Sequence, residues 1–299
     1  MGHRYRQRRA VELRRSQLPE LLWLGAGVLH PAGHPGLAGA FPARWQGRSG
    51  RRQRSPGRGA LMGLLLTMAL GTALAQPACG ADVLGTSRTL TLKRDGVAWG
   101  TAQHPALPGL APKEVVLTFD DGPRPESTPH VLKALADQCV KATFFMNGEP
   151  LLQSPALARQ VRDAGHTVGM HGFKHEAFGK LPEATQLADL DAMMAAYRNA
   201  LGSEPAAYRF PYLAESPTLL KALREQRVTV MSIDAGAEDW LADQTPQMLA
   251  DRLLGQLAKS GGGIILLHDA QDQTARAMPY LLQTLKAAGY RVVHVNWSD

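Results

Sequence analysis

Two adjacent carboxylates, Asp120 and Asp121, follow a short apolar run that ends at Phe119. Successive side chains of an extended chain point in opposite directions, so the two carboxylates can do different jobs. One of them can bind a metal ion while the other accepts a proton during a reaction. Taken alone, the pair also fits an Asx turn before Gly122 and Pro123.

Two histidines four residues apart, His171 and His175, follow another short apolar run. Imidazole nitrogen is a ligand that suits zinc, cobalt and nickel. The pair alone indicates little, because surface and capping histidines show the same spacing. Together with Asp121 it makes a set of two histidines and one aspartate. Such a set leaves positions open for water and substrate, which is typical of a catalytic metal site.

Further residues able to do chemistry follow three later apolar runs. They are Arg209, Pro211 and Tyr212, then Asp234, Asp239 and Trp240, and finally Leu266 and His268. Each of these alone fits surface charge or the edge of a core. In barrel-like α/β folds, however, the carboxyl ends of the parallel strands build the site. Polar signals at the ends of five successive segments therefore indicate one shared site.

The segments that must position these residues alternate regularly from Lys113 onwards. Short apolar segments predict strands over 114–119, 142–146, 166–170, 207–210, 228–233, 263–267 and 291–295. Amphipathic segments predict helices over 129–138, 155–164, 183–201, 217–225, 246–259 and 277–288. Several of these begin with Ser-Pro or Thr-Pro and end at glycine, as capped helices do. This alternation predicts an α/β fold with a parallel sheet, open or closed into a barrel.

Five short motifs occur in a fixed order along the chain. They are Thr118-Phe119-Asp120-Asp121-Gly122-Pro123, His171-x-x-x-His175, Arg209-x-Pro211-Tyr212, Asp239-Trp240 and Leu266-Leu267-His268-Asp269. In this order they resemble the motifs of the polysaccharide deacetylases, which are carbohydrate esterase family 4 with the NodB homology domain. The resemblance covers roughly residues 111–297. It implies a distorted, TIM-like (β/α)7 barrel as a single catalytic domain over 111–299, and metal-dependent deacetylation.

The resemblance also implies a set of site residues. The ligands of one divalent metal ion, zinc first with cobalt or nickel as alternatives, would be Asp121, His171 and His175. The catalytic set would be Asp120, His268, Arg209, Asp239 and Tyr212. The walls of the substrate pocket would be Trp240, Leu266 and Pro211.

Within the catalytic set, the resemblance makes Asp120 the general base and His268 the general acid. Arg209 would hold the carboxylate of the base, and Asp239 would orient the acid histidine. Tyr212 would offer its backbone N–H to the oxyanion. The products would be acetate and a free sugar amine.

Two positions depart from the family pattern. The second motif often has serine or threonine after its first histidine, whereas Gly172 stands here and supplies no hydroxyl. The fourth motif commonly has two residues between its aspartates, whereas four separate Asp234 from Asp239 here. Either aspartate could therefore tune His268. Asp239 is preferred because it adjoins Trp240.

The expected substrate is a polysaccharide or oligosaccharide that contains N-acetylglucosamine and is peptidoglycan-like or chitin-like. An esterase for O-acetylated glycans of the acetylxylan type, using the same site, is the alternative. A catalytically silent glycan-binding protein is a second alternative, against which the intact set of site residues argues. The sequence indicates no particular protein partner.

The positive charge of the chain is concentrated at its start. Residues 1–59 hold twelve arginines, no lysine and two glutamates, a net of +10, which leaves −3 on the other 240 residues of a chain whose total is +7. A folded nucleic-acid-binding surface is therefore not expected. We expect a basic, Arg/Gly/Pro-rich segment over 1–61, which is either disordered or upstream of a true start at Met62, and a lead segment over 79–110.

An uncharged run over 60–75 follows several arginines and ends in Ala73-Leu74-Ala75, a small-x-small cleavage pattern. This layout predicts a signal peptide over 62–78 and export to the periplasm or beyond the cell. The run is short for a membrane span, which needs about 20 apolar residues. No stable span is therefore expected after cleavage, and retention as a signal anchor is the alternative.

The chain has two cysteines, Cys79 and Cys139. Cys139 follows an amphipathic segment, and we expect it to be a free, buried, small apolar residue on a helix face. A bridge to Cys79 is the less favoured alternative and needs an oxidising compartment.

Overall fold

The computed structural model describes residues 79–80 and 82–299. The predicted basic segment over 1–61 and the predicted signal peptide over 62–78 lie outside the described residues. In the part that is described, every helix is too short or too polar to cross a membrane.

In the part of the chain that the structure describes, ten strands form one sheet in which the paired strands run parallel. They are β1 (Thr86–Lys93), β2 (Ala98–Trp99), β3 (Glu114–Asp120), β4 (Thr143–Met146), β5 (Thr167–Met170), β6 (Ala207–Tyr208), β7 (Thr229–Met231), β8 (Ala235–Gly236), β9 (Gly263–His268) and β10 (Arg291–Ser298). Within the same described residues, seven α-helices join them. They are α1 (Thr128–Asp137), α2 (Gly148–Gln153), α3 (Pro155–Asp163), α4 (Glu183–Leu201), α5 (Pro217–Glu225), α6 (Pro246–Ser260) and α7 (Asp272–Ala287).

Strands β3 to β9 curve towards a barrel. Strand β3 starts the order β3-β4-β5-β6-β7 on one side and pairs with β9 on the other, and β9 pairs with β8. Within the described residues β7 and β8 do not pair; β7 pairs instead with β2, through Ala98 beside Val230 and Trp99 beside Met231. The predicted α/β fold with a parallel, barrel-like sheet is confirmed, and its distortion lies at this seam.

Side chains of β3 show how the sheet separates two cores. Val115, Leu117 and Phe119 pack in the larger core together with residues of the helices. Val116 packs in a second, smaller core inside the curved sheet. Because side chains alternate along a strand, Asp120 shares the inner face with Val116. Strand β3 thereby directs one carboxylate into the barrel.

Several elements differ from the predicted ones. Strand β8 and helix α2 were not predicted, because two and six residues are too few to show a period. Helix α7 begins at Asp272 rather than 277, since its first turn is polar. The lead segment contains strand β1, which spans Thr86–Lys93 and pairs with β10.

The prediction for Cys139 is wrong. Helix α1 ends at Asp137, and Cys139 follows it with a φ of 53°, half-buried and bonded to Cys79. The lead segment runs beside this turn, where the amide of Gly85 donates to the Gln138 carbonyl at 2.9 Å. The two cysteines are 60 residues apart in sequence, so no local pattern could reveal their contact.

Removing this bridge is expected to lower the thermal stability of the protein. Closing a loop of this length restricts the unfolded chain by up to about 4 kcal/mol, which corresponds to a fall in Tm of about 10 °C. Calorimetry of the protein with and without reductant measures the shift. A variant with both Cys79→Ser and Cys139→Ser is the control, because reductant should change its Tm no further. An unchanged Tm of the parent protein on full reduction would contradict the prediction.

Candidate metal and catalytic site

The inner face of β3 brings Asp120 against a buried arginine. Arg209 follows β6, is fully buried, and donates from Nη1 to Asp120 Oδ1 at 2.8 Å and to Thr118 Oγ1 at 2.6 Å. Its remaining donors reach the carbonyls of Met231 and Ser232. Burial lowers the pKa of Arg209, and the charge of Asp120 opposes that effect. The guanidinium therefore fixes one oxygen of Asp120 and leaves the other facing the cavity.

Asp121, the next residue, turns out of the strand and meets both histidines of the second motif. Its φ of 76° ends the alternation of β3. Asp121 Oδ1 lies 3.4 Å from His171 Nε2 and 3.2 Å from His175 Nε2. One ligand atom from each of the three residues lies within 4.8 Å of the other two. A single ion can therefore contact all three.

Unsatisfied polar atoms show that these residues fit a cation. Among the described residues, Asp121 Oδ1 and His171 Nε2 are buried and have no hydrogen-bond partner. His171 Nδ1–H donates to the carbonyl of Arg209 at 2.9 Å, which leaves the lone pair of Nε2 directed at Asp121. A buried lone pair beside a buried carboxylate oxygen is costly unless a cation lies between them. The donor set of two imidazoles and one carboxylate fits a divalent metal ion.

The charge states of the same residues favour metal binding. Burial raises the pKa of Asp121, but the surrounding histidines outweigh this and lower it to about 2. Burial is also the main reason why the pKa of His175 is lowered. Metal ligands must be deprotonated, and these shifts favour an ionised Asp121 and a neutral His175.

His268 stands on the other side of Asp121, held by an aspartate. It ends β9 directly beside Asp120 in the register of the sheet. Its Nδ1–H donates to Asp239 Oδ1 at 2.7 Å, and Nε2 faces Asp121 Oδ2 at 3.9 Å. Burial lowers the pKa of His268, but the hydrogen bond and charge of Asp239, with the charges of Asp120 and Asp121, raise it to about 9. This arrangement favours an imidazolium that can donate a proton.

The structure decides which of two aspartates, Asp234 or Asp239, contacts His268. Asp239 is fully buried, and its Oδ2 accepts from the His268 amide at 2.7 Å and from Thr274 Oγ1 at 2.5 Å. Asp234 instead accepts from the amides of Thr101 and Ile264. Between the two lies β8, whose pairing with β9 carries the chain up to Asp239. Asp239, not Asp234, is the carboxylate on His268.

A cavity of about 510 Å³ opens above these residues, within the range of small-ligand pockets. Its lining comprises Asp120, Asp121, His171, His175, Phe210, Tyr212, Leu213, Ile233, Trp240, Leu266 and His268. Tyr212 and Trp240, which also line the cavity, are 68% and 50% exposed. Two aromatic rings are therefore accessible to a ligand in the cavity. Of the predicted wall residues Trp240 and Leu266 line the cavity, whereas Pro211 is buried and does not line it.

Gly172 occupies a position that a hydroxyl-bearing residue fits poorly. Its φ is 75°, and a Cβ there would lie 3.2 Å from the Phe178 ring and from Pro211. The loop is held from outside instead. Asn147 Nδ2 donates to the His171 carbonyl at 2.6 Å, and Asp189 accepts from the amide of Phe173 at 2.8 Å.

Sequence reasoning missed Asn147, Asp189 and Thr274, which support the site without lining it. Thr274 and Asp189 stand on helices, and Asn147 lies between a strand and the short helix α2. Single polar residues in such positions are ordinary in any soluble protein. Only their contacts distinguish them, so no sequence motif could have identified them.

Comparison with known proteins agrees with this geometry. A model of the polysaccharide deacetylase family matches residues 109–231. The chain is 30% identical over 230 residues to a chitin deacetylase of Colletotrichum lindemuthianum, a match that covers 73% of this chain and 91% of that protein. It is also 30% identical over 184 residues to the peptidoglycan-N-acetylglucosamine deacetylase PgdA of Listeria monocytogenes, and covers 62% of this chain but 38% of that one.

Solved structures show the same likeness. The peptidoglycan deacetylase Bd3279 of Bdellovibrio bacteriovorus superposes with a TM-score of 0.63 at 30% identity, over 71% of this chain and 59% of that chain. With a relative of 30% identity matched over nine-tenths of its length and the ordered motifs gathered around one cavity, the chain belongs to the polysaccharide deacetylase family, carbohydrate esterase family 4.

Proposed function

We propose that this protein hydrolyses the acetamide group of N-acetylglucosamine residues in a polysaccharide or oligosaccharide and releases acetate. One observation carries the proposal. Asp120 and His268 flank the metal-ligand set, with Asp120 Oδ2 at 3.7 Å from His171 Nε2 and His268 Nε2 at 3.9 Å from Asp121 Oδ2. A proton acceptor and a proton donor thus face one reaction centre from two sides. The deacetylase relatives support the same chemistry.

Asp121, His171 and His175 would hold the metal ion. A divalent cation, when bound, makes water more acidic and polarises a carbonyl oxygen. Asp120 takes the proton from the attacking water, and Arg209 keeps its carboxylate aimed at that water. The two hydrogen bonds from Arg209 fix the end of β3, and with it Asp120, in this position.

Bond cleavage needs a second proton transfer. Water oxygen bonds to the acetyl carbon, and the tetrahedral oxyanion accepts a hydrogen bond from the backbone N–H of Tyr212. His268 then protonates the amide nitrogen, so that the carbon–nitrogen bond breaks and the sugar leaves as an amine. Asp239 keeps the imidazole in the tautomer whose Nε2–H points to the cavity. Trp240 and Leu266 form the apolar wall for the acetyl methyl.

Zinc is the metal we propose, with cobalt or nickel as alternatives. Two imidazoles and one carboxylate suit all three ions, and zinc commonly takes three protein ligands in catalytic sites. The proposed setting is outside the cytoplasm. The bridge between Cys79 and Cys139 supports it, since disulfides persist in oxidising compartments.

Acetate release from a panel of acetylated glycans tests the function. The panel holds chitooligosaccharide, peptidoglycan fragments and acetylxylan, each with and without a chelator. We expect chelator-sensitive acetate release from the N-acetylated members. The sugar amine leaves only when the amide nitrogen is protonated, and His268 is placed to donate that proton. Release from acetylxylan alone would assign the site to O-acetyl esters. Full release after complete metal removal would contradict the proposed mechanism.

A further inference from the structure

A short segment over residues 98–105, which we call the strap, crosses the seam where the barrel fails to close. Strand β2 begins the strap and pairs with β7. The Ser232 amide donates to the Trp99 carbonyl at 2.7 Å, and the Ala102 amide donates to the Ile233 carbonyl at 2.9 Å. The strap and the segment that follows β7 lie so close together that a Cβ on Gly100 would be 2.6 Å from the Ser232 carbonyl carbon. The strap is therefore seated directly on the chain that leaves β7.

Asp234 fixes the strap to the other side of the seam. Its Oδ1 accepts from the Thr101 amide at 2.7 Å, and its Oδ2 accepts from the Ile264 amide of β9 at 2.6 Å. One carboxylate thus joins the strap to a strand that carries His268 at its end. These two hydrogen bonds are the structural role of Asp234, the aspartate that does not contact His268.

From this anchored position the strap contacts the loop that carries Tyr212. Gln103 Nε2 donates to the Leu213 carbonyl at 2.8 Å, while Gln103 Oε1 accepts from Ser232 Oγ at 2.8 Å. Next to it, His104 Nε2 and Glu215 Oε1 are 2.6 Å apart, in a contact that is mostly shielded from water. Both the nitrogen and the oxygen of the Gln103 amide are thereby hydrogen-bonded, and the strap contacts the loop at Leu213 and at Glu215.

The loop that carries Tyr212 has a strained backbone conformation. Tyr212 and Leu213 have φ values of 56° and 54°, in the left-handed region that costs residues with a Cβ about 1–2 kcal/mol each. Two such residues in a row persist only where their surroundings hold them. A change in the φ and ψ torsions of these two residues would change the direction of the Leu213 carbonyl relative to the Tyr212 N–H.

We propose that the strap is a positioning element, and that Gln103 and His104 hold the Tyr212–Leu213 loop so that the Tyr212 N–H points at the reaction centre. This inference rests on the proposed function, in which that N–H binds the oxyanion. Gln103 and His104 act through the loop and touch no reacting atom. Small errors in the position of such a donor cost up to about 100-fold in rate.

Gln103→Glu tests the decisive contact, because glutamate keeps an acceptor for Ser232 but has no donor for the Leu213 carbonyl. We expect kcat to fall about tenfold for Gln103→Glu and Gln103→Ala, with KM changed less than kcat. Metal content and Tm should stay at the parent values. His104→Ala should show a smaller fall in kcat. Ala102→Ser is the matched control on an exposed strap residue, and it should behave as the parent does.

Hydrogen exchange of residues 212–215 gives a second measurement that does not depend on turnover. In Gln103→Glu the exchange of these amides should speed up, while the strands of the barrel keep their protection. Parent values of both kcat and exchange in this variant would overturn the inference and leave the proposed function intact. Faster exchange throughout the barrel would reduce the strap to a general stabilising element. If the parent protein released acetate from no glycan, the proposed function would fail and the exchange data would still decide the positioning.

Discussion

Replacing His268 with glutamine is expected to lower kcat by about 1,000-fold while the protein keeps its metal ion and its fold. General acid catalysis contributes about 10²- to 10⁴-fold, and an amide nitrogen is a poor leaving group without it. His268 is not one of the three residues whose ligand atoms cluster, so metal content should not change. Steady-state kinetics on an N-acetylated oligosaccharide, with the metal content of each sample, measures the effect. Parent kcat in a fully loaded His268→Gln enzyme would reject the acid role.

The pH profile of Asp239→Asn provides the matching control. In the proposed mechanism His268 must be protonated to act, so activity is lost as the pH rises through its pKa, which its surroundings raise to about 9 when no ion is bound. A bound cation opposes that upward shift, and the alkaline limb of the loaded enzyme therefore lies lower. Removing the charge of Asp239 lowers the pKa of His268 further in either state. The alkaline limb should thus move to lower pH in Asp239→Asn, and a shift to higher pH would contradict the assignment.

The second large effect is expected for His175→Ala, which should lose metal and activity together. His175 supplies one of the three protein ligands in the proposed metal site, and its side chain is 29% exposed, so we expect the fold to tolerate truncation. Removing groups that merely orient a ligand costs about 10- to 100-fold in metal affinity, and removing a ligand costs more. We expect affinity to fall by more than about 100-fold, with acetate release below detection at stoichiometric metal. Elemental analysis and competition with a chelator measure the affinity.

The exposed His130 on α1 offers a matched control. His130→Ala should bind metal and release acetate as the parent does. Thermal melts add a readout without substrate, because a ligand that binds only the folded state raises Tm. Chelator should lower the Tm of the parent and of His130→Ala, but not that of His175→Ala. Stoichiometric metal and full turnover in His175→Ala would show that its closeness to Asp121 serves another purpose.

Much of the fold and of the site could be predicted because the relevant signals are local. A short apolar run identified β3 and placed Asp120 and Asp121 at its end. Strands β4, β5 and β9 were found within one residue of their ends for the same reason. The ordered motifs then placed His171, His175 and His268 at strand ends, which meet at one edge of a parallel sheet.

Tertiary structure alone decided the contacts between distant segments. Three contacts join segments about 30 to 110 residues apart in the sequence. They are the bridge from Cys79 to Cys139, the hydrogen bond of Asp239 rather than Asp234 to His268, and the contact of the strap with the loop that carries Tyr212. Such contacts depend on how a twisted sheet closes and where it leaves a gap, and no window of neighbouring residues records that. The sequence by itself thus predicted which side chains gather at the site and which strands carry them. Packing across the seam determined what holds those side chains in place.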